Sequence, residues 1–237
     1  MSSLDTLLVV QDRDTTLDQL RHRRAHLPER SALADIDARQ AALAGQLSEV
    51  AGRRDEVAGR QAKLEGEIAT AEARISEVEK RLYGGTVSAS RELTAMSEEV
   101  DHLKARRSSF EDQVLEVMEE REPVDAEVAG LEAEQAALAA DRAVAVDGLA
   151  AAEAAVDAEI AAVQAERESV AAELPADLAA TYERLRSQLG GIGAAKLVGS
   201  SCGGCHLALP ATELDRIRHA APDALVYCDQ CGRILVR

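Results

Sequence analysis

Four cysteines stand near the C-terminus as two Cys-x-x-Cys pairs, Cys202 with Cys205 and Cys228 with Cys231, and 22 residues separate the pairs. Two tight pairs of thiolates suit a tetrahedral structural zinc ion. Gly203, Gly204 and Gly232 fit this reading, because small residues let backbone amides turn toward the sulfurs. A disulfide is disfavoured in a reducing compartment. An iron–sulfur cluster is less suited to two separated knuckles followed by short strands. Four sulfurs fill the coordination sphere, so the expected cofactor is one structural Zn2+, with His206 and His219 left over.

No other constellation points to catalysis. Gly190, Gly191 and Gly193 form a GGIG hinge without the Lys-Ser or Lys-Thr of a phosphate loop. The serines and histidines are scattered and do not make a nucleophile, base and orienter set. The tail does carry Lys196, Arg216, Arg218, Arg233 and Arg237, candidates for a face that contacts nucleic acid or a partner. Residues 180 to 237 hold 7 basic and 5 acidic side chains, whereas residues 1 to 179 hold 20 and 38. Four thiolates and one Zn2+ would bring the tail from +2 to about zero, so phosphate contact would depend on how the cations cluster. Tyr182 and Leu185 are expected to pin the end of the long helical region against the ribbon.

The elements that position these groups are helical. The 237 residues are 46% hydrophobic and 30% charged but only 2% aromatic, with a net charge of −16. Such a composition favours long helices over a broad globular core. Apolar spacing alternating three and four runs from Leu33 to Leu82, interrupted by Gln40, Arg54 and Gln61, and again from Leu93 to Ala152. Two successive steps of four around Val156 read as a stutter before the seam continues to Leu174. Gly84 and Gly85 should end the first arm, with Ser88 or Ser90 capping the second. Arms of equal length predict pairing of positions whose numbers sum to about 175, placing Arg54 opposite Arg121. Pro28 should break the first arm and leave a separate short helix before it, packed near the end of the second arm. Pro123 should not end the second arm. The basic run Arg21, His22, Arg23, Arg24 and His26 is read first as a solvated helix face, and second as part of a binding surface near the tail.

These readings predict a mainly α protein: an antiparallel coiled-coil hairpin over residues 1–180, with its turn near 83–90 and a kink near 28, and a zinc ribbon over 181–237. Within the ribbon, strands are expected at 207–209, 225–227 and 233–236, and a helix at 213–219 capped by Thr212. The N-terminal stretch lacks a basic region followed by a sustained apolar run, and no alanine run would span a bilayer, so a cytoplasmic protein without membrane contact is expected.

Four stretches carry a resemblance to a known family: RLYGGTVSASREL (Arg81 to Leu93), FEDQVLEVMEE (Phe110 to Glu120), CGGCHLALPATELDRIR (Cys202 to Arg218) and VYCDQCGRILV (Val226 to Val236). The chain resembles the bacterial C4-type zinc-ribbon proteins of uncharacterised family 164 over nearly its whole length. The resemblance implies a long helical hairpin and a ribbon whose zinc ligands are Cys202, Cys205, Cys228 and Cys231. It implies a non-enzymatic protein that binds nucleic acid or partner proteins, linked in flagellated or secreting bacteria to export-system assembly and gene expression. The alanine-rich, Arg-over-Lys composition looks like that of actinobacterial members. Nucleic-acid binding at the ribbon end is the first expectation, and a protein scaffold or chaperone using the hairpin is the alternative. A monomer or weak homodimer fits either.

Overall fold

The computed structural model describes residues 2–85, 87–221 and 224–237. Their elements are α1 (Ser3–Ala25), α2 (Pro28–Tyr83), α3 (Ser90–Ala171), α4 (Ala176–Gln188), β1 (Ala194–Val198), β2 (Ser201–Cys202), α5 (Ala211–His219), β3 (Val226–Tyr227) and β4 (Ile234–Val236). The protein is mainly helical, with two long helices in a hairpin followed by a small four-cysteine β region. Contacts divide it into one unit of residues 1–32 with 145–237, and another of residues 33–144. No helix among the described residues is long and apolar enough to cross a membrane.

In the unit of residues 33–144, the seam is where the sequence places it. Leu43, Val50, Val57, Ala71, Ile75 and Val78 of α2 are buried, as are Met96, Val100, Val117, Val128 and Leu138 of α3. Every one lies on the heptad positions, because only that stripe of each helix faces its partner. Near the turn, Ile75, Val78, Met96 and Val100 form one cluster. Gly85 takes the left-handed conformation (φ 69°) that ends α2. The cap of α3 is not a serine: the Ala89 carbonyl accepts from the amides of Glu92 and Leu93, so Ala89 occupies the position expected of Ser88 or Ser90. Pro123 lies inside α3, which continues across it.

The register agrees with the expected one: Leu64 and Phe110 line one cleft and Gln40 and Gln135 another, pairs whose numbers sum to 174 and 175. Val78 beside Met96 sums to 174, and cross-arm ion pairs bracket the seam: Arg74–Glu99 (2.7 Å) and Arg106–Glu67 (3.2 Å) sum to 173, Arg53–Glu127 (2.8 Å) and Arg60–Glu120 (2.5 Å) to 180. Arg121 donates to Gln61 Oε1 at 3.3 Å and pairs with Asp125 at 3.0 Å. Arg54 pairs with its neighbour Asp55. Both arginines of the expected Arg54–Arg121 layer are thus turned to acidic partners.

In the other unit, α1 begins with a reciprocal capping box between Ser2 and Asp5 and ends before Leu27. Pro28 is the first residue of α2, where its missing amide costs nothing. Val156 lies buried with Leu20 and Leu27, flanked by Ala152 and Ile160 of α3. The stutter thus coincides with the break between α1 and α2. The basic run is consumed along the same contact: Arg23 pairs with Glu159, and Arg24 with Asp157 at 2.6 Å. His22 and His26 stack on each other, their ring centroids 4.0 Å apart.

The four strands form one sheet in the order β2-β1-β4-β3, with β1 parallel to β4 and the outer pairs antiparallel. Alternation along β1 and β4 separates two cores. Ala194, Ile234 and Val236 face Leu4, Leu7 and Val10 of α1 and Leu178, Tyr182 and Leu185 of α4. Ala195 and Leu235 face Ile217 of α5, Val226, Leu209 and the cysteines. Residues 207–209 are not a strand; only Ala208 bridges, to Ser201. The helix expected to be capped by Thr212 starts two residues earlier, with Pro210 at its cap position and no side-chain cap.

Candidate metal centre

Each Cys-x-x-Cys pair sits in the same backbone turn. The amide of His206 donates to the Cys202 carbonyl and that of Gly232 to the Cys228 carbonyl, both at 2.8 Å. The Cys202 amide donates in turn to Leu207, and the Cys228 amide to Arg233, at 3.1 and 2.9 Å. Both turns close on a left-handed residue, Gly232 (φ 75°) and His206 (φ 60°). That conformation is ordinary for glycine and strained for histidine. The remaining glycines serve proximity: a Cβ on Gly203 would lie 2.7 Å from the Lys196 carbonyl oxygen, and one on Gly204 2.5 Å from Arg233 Cδ.

The two turns bring the four sulfurs together, all within 4.8 Å of one another. Cys202 Sγ lies 3.9 Å from Cys231 Sγ, and Cys205 Sγ 4.0 Å from Cys228 Sγ, so the closest pairs cross between knuckles. A tetrahedron with metal–sulfur bonds of about 2.3 Å has edges of about 3.8 Å, close to the shorter separations. The residues present therefore fit a tetrahedral ion bound through sulfur. Burial pushes the Cys228 thiol up to about 12 and raises that of Cys202. Burial acts the same way on Cys231, but the amide and side chain of Arg233, with neighbouring thiols, outweigh it and bring Cys231 down to about 7. Binding a cation here expels the remaining protons.

The polar groups around the cluster hold the ribbon together. Glu213, buried on α5, accepts from the Asp229 amide inside the second knuckle at 3.1 Å. Arg233 donates to the carbonyls of Ile192 (3.0 Å) and Leu189 (2.9 Å). Arg237 closes the C-terminal end of α5 on the carbonyls of Ile217, Ala220 and Ala221. Arg216 is exposed and pairs with Asp229 at 3.2 Å. Lys196 and Arg218 are exposed and have no carboxylate partner among the described residues. The five sequence candidates thus divide, two engaged on backbone carbonyls, one in an exposed ion pair and two open to solvent. His206 and His219 are exposed, and His219 Nδ1 lies 2.9 Å from the Asp215 carbonyl oxygen.

The joint that fixes this head holds Tyr182, as expected, together with two residues of α1 that the sequence did not single out, Gln11 and Asp14. Gln11 of α1 clamps the GGIG segment: its Oε1 accepts from the Gly193 amide at 2.8 Å, and its Nε2 donates to the Gly191 carbonyl at 3.1 Å. Asp14, 3% exposed, accepts from Tyr182 Oη at 2.7 Å and from Arg167 at 3.2 and 3.3 Å. Burial first, then the Asp14 carboxylate, pushes the Tyr182 phenol well above its ordinary value. The available signal was positional, since Gln11 and Asp14 continue the stripe of Leu4 and Leu7 at helical spacing.

Comparison with known proteins returns the same two parts. Residues 10–190 match the CT398-like coiled coil hairpin domain, and residues 201–235 a C4-type zinc ribbon domain. An uncharacterized protein of Mycobacterium tuberculosis is 33% identical over 98% of this chain and 94% of its own. A solved structure from Mycobacterium smegmatis covers both chains completely, with 27% identity and a TM-score of 0.91. CT398 from Chlamydia trachomatis shares the fold at 19% identity, with a TM-score of 0.70 over 99% of this chain and 97% of that one.

Proposed function

Because the chain belongs to the family in which a CT398-like coiled-coil hairpin is followed by a C4-type zinc ribbon, we propose that it is a non-enzymatic adaptor. In this reading Cys202, Cys205, Cys228 and Cys231 hold one structural Zn2+, and the hairpin engages a protein partner. The observation that carries it is the convergence of four sulfurs at tetrahedral spacing, which leaves no ligand position for a substrate or water. The bound ion would tie the β1–β2 end of the ribbon to the turn between β3 and β4, supplementing a small apolar core. Four reduced thiols suit a cytoplasmic location, and a hairpin that buries its own seam suits a monomer or weak homodimer.

Nucleic acid at the ribbon end is the second reading, favoured by the solvent-exposed Lys196, Arg216 and Arg218. Against it stand the −16 net charge and the engagement of Arg233 and Arg237 with carbonyls. Titration of fluorescent RNA and DNA against the zinc-loaded protein, repeated over salt, separates the two. The protein-adaptor reading expects no binding even at low salt. Binding that disappears on charge reversal at Arg216 and Arg218 would replace it with the nucleic-acid reading.

A further inference from the structure

Within residues 33–144, α3 is more apolar than a two-helix seam requires. Val114, Val117 and Arg121 occupy the seam, yet Leu115 and Met118 lie beside it, 59% and 49% exposed. A helix with one partner needs two apolar positions in seven, and a wider stripe marks a helix meant for a second neighbour. The widening coincides with a groove of about 570 Å³ lined by Gln61, Leu115, Met118, Glu119, Arg121 and Glu122. Arg121 is held by Gln61 and Asp125, so a polar layer replaces apolar seam packing beside the groove.

The rim is anionic. Glu119 and Glu122 have no ion-pair partner among the described residues, whereas nearby Glu111 and Asp125 pair with Arg107 and Arg121. Pro123 lacks an amide, so the Glu119 carbonyl receives no helical donor and adds a further acceptor. We infer that this face is a docking groove for a basic amphipathic helix of a partner protein, with Leu115 and Met118 as its apolar floor and Glu119 and Glu122 as its charged rim. The inference rests on the adaptor reading and gives the partner its chemical class. Charge complementarity selects the occupant: a second copy of this chain would bring the same acidic rim against itself, while a Lys- or Arg-flanked helix neutralises it. The i, i+3 spacing of the two apolar residues is that of helix-in-groove recognition, and methionine adapts to differing partners.

The probe is a fluorescent 18-residue peptide with Leu at i, i+3, i+4 and i+7 and Lys elsewhere, beside a scrambled peptide of the same composition. Anisotropy is read with the zinc-loaded full chain and with L115S/M118S, E119Q/E122Q and V144S variants. Val144 is an exposed apolar control away from the groove. The ordered peptide should bind the wild type, and L115S/M118S should weaken it at least about tenfold, the scale of losing one well-buried apolar side chain. E119Q/E122Q should weaken it less and flatten its salt dependence, and V144S should leave it unchanged. Circular dichroism establishes that each variant keeps its helix content. Equal binding of the scrambled peptide, indifference to L115S/M118S, or no binding to the wild type would overturn the groove. Concentration-dependent dimerisation abolished by L115S/M118S would also overturn it, by making a second copy the occupant. None of these results bears on the adaptor reading, which the nucleic-acid titration tests independently.

Discussion

The contact between Asp14 and Tyr182 should be among the most strongly coupled in the molecule, and a double-mutant cycle measures it. Tyr182→Phe keeps the ring, 1% exposed, in its core and removes only the hydroxyl that donates to Asp14 at 2.7 Å. A hydrogen bond to a buried charge contributes about 1.5–3 kcal/mol, and no cavity cost is added. Asp14→Ala strips the carboxylate from Tyr182, from Arg167, whose side chain is 17% exposed, and from Arg186, which lies 3.4 Å from it. Breaking a buried pair costs about 3–5 kcal/mol, and the lower end applies because Arg167 retains Glu183 and Arg186 retains Asp18. With Asp14 gone, Tyr182→Phe should cost almost nothing, so the coupling energy should equal the single-mutant cost of about 1.5–3 kcal/mol. Native-state hydrogen exchange gives the free energies by segment. Protection should fall in residues 3–25 and 176–198 and hold in residues 43–138. A coupling below about 0.5 kcal/mol would refute the reasoning, since exposed pairs already reach that value.

Other predictions concern the backbone and pH. Gly193→Ala should destabilise the head by about 1–3 kcal/mol in urea unfolding, because its Cβ would lie 2.9 Å from the Tyr182 carbonyl oxygen and 3.0 Å from the Arg186 amide nitrogen. Gly232→Ala should cost about 1 kcal/mol or more, measured by thermal unfolding of the zinc-loaded protein, whereas His206→Gly at the equivalent turn position should cost nothing or stabilise. The Tyr182 phenol is raised in the fold, so its contribution is complete below the ordinary phenol value of about 10 and declines as pH rises above it. Unfolding followed between pH 9 and 12 should therefore show a loss of stability with rising pH that Tyr182→Phe reduces.

What the sequence made legible was periodic or covalent in origin. The seam from Leu33 to Leu82 and from Leu93 onward repeats often enough that no local exception hides it, and every buried residue of α2 and α3 falls on it or its continuation at Val156. The cysteine spacing carried the ribbon in the same way. Strand β1 was not legible because Ala-Ala-Lys-Leu-Val has little intrinsic strand preference; it is a strand because β2 and β4 pair with it on both sides. The arm register was legible from the equal arm lengths, and pairs such as Arg53–Glu127 supplement it on the flanks of the seam. Gln11 and Asp14 look like surface polar residues until α4 and the GGIG segment are brought against them. Their partners lie more than 150 residues away in the chain.

In the proposed centre, four thiolates and nothing else hold one structural zinc ion. Protein purified under reducing conditions without added metal should contain one zinc per chain, and its zinc X-ray absorption spectrum should fit four sulfur neighbours at about 2.3 Å. A shell containing nitrogen or oxygen, or reduced protein without stoichiometric zinc, would contradict it.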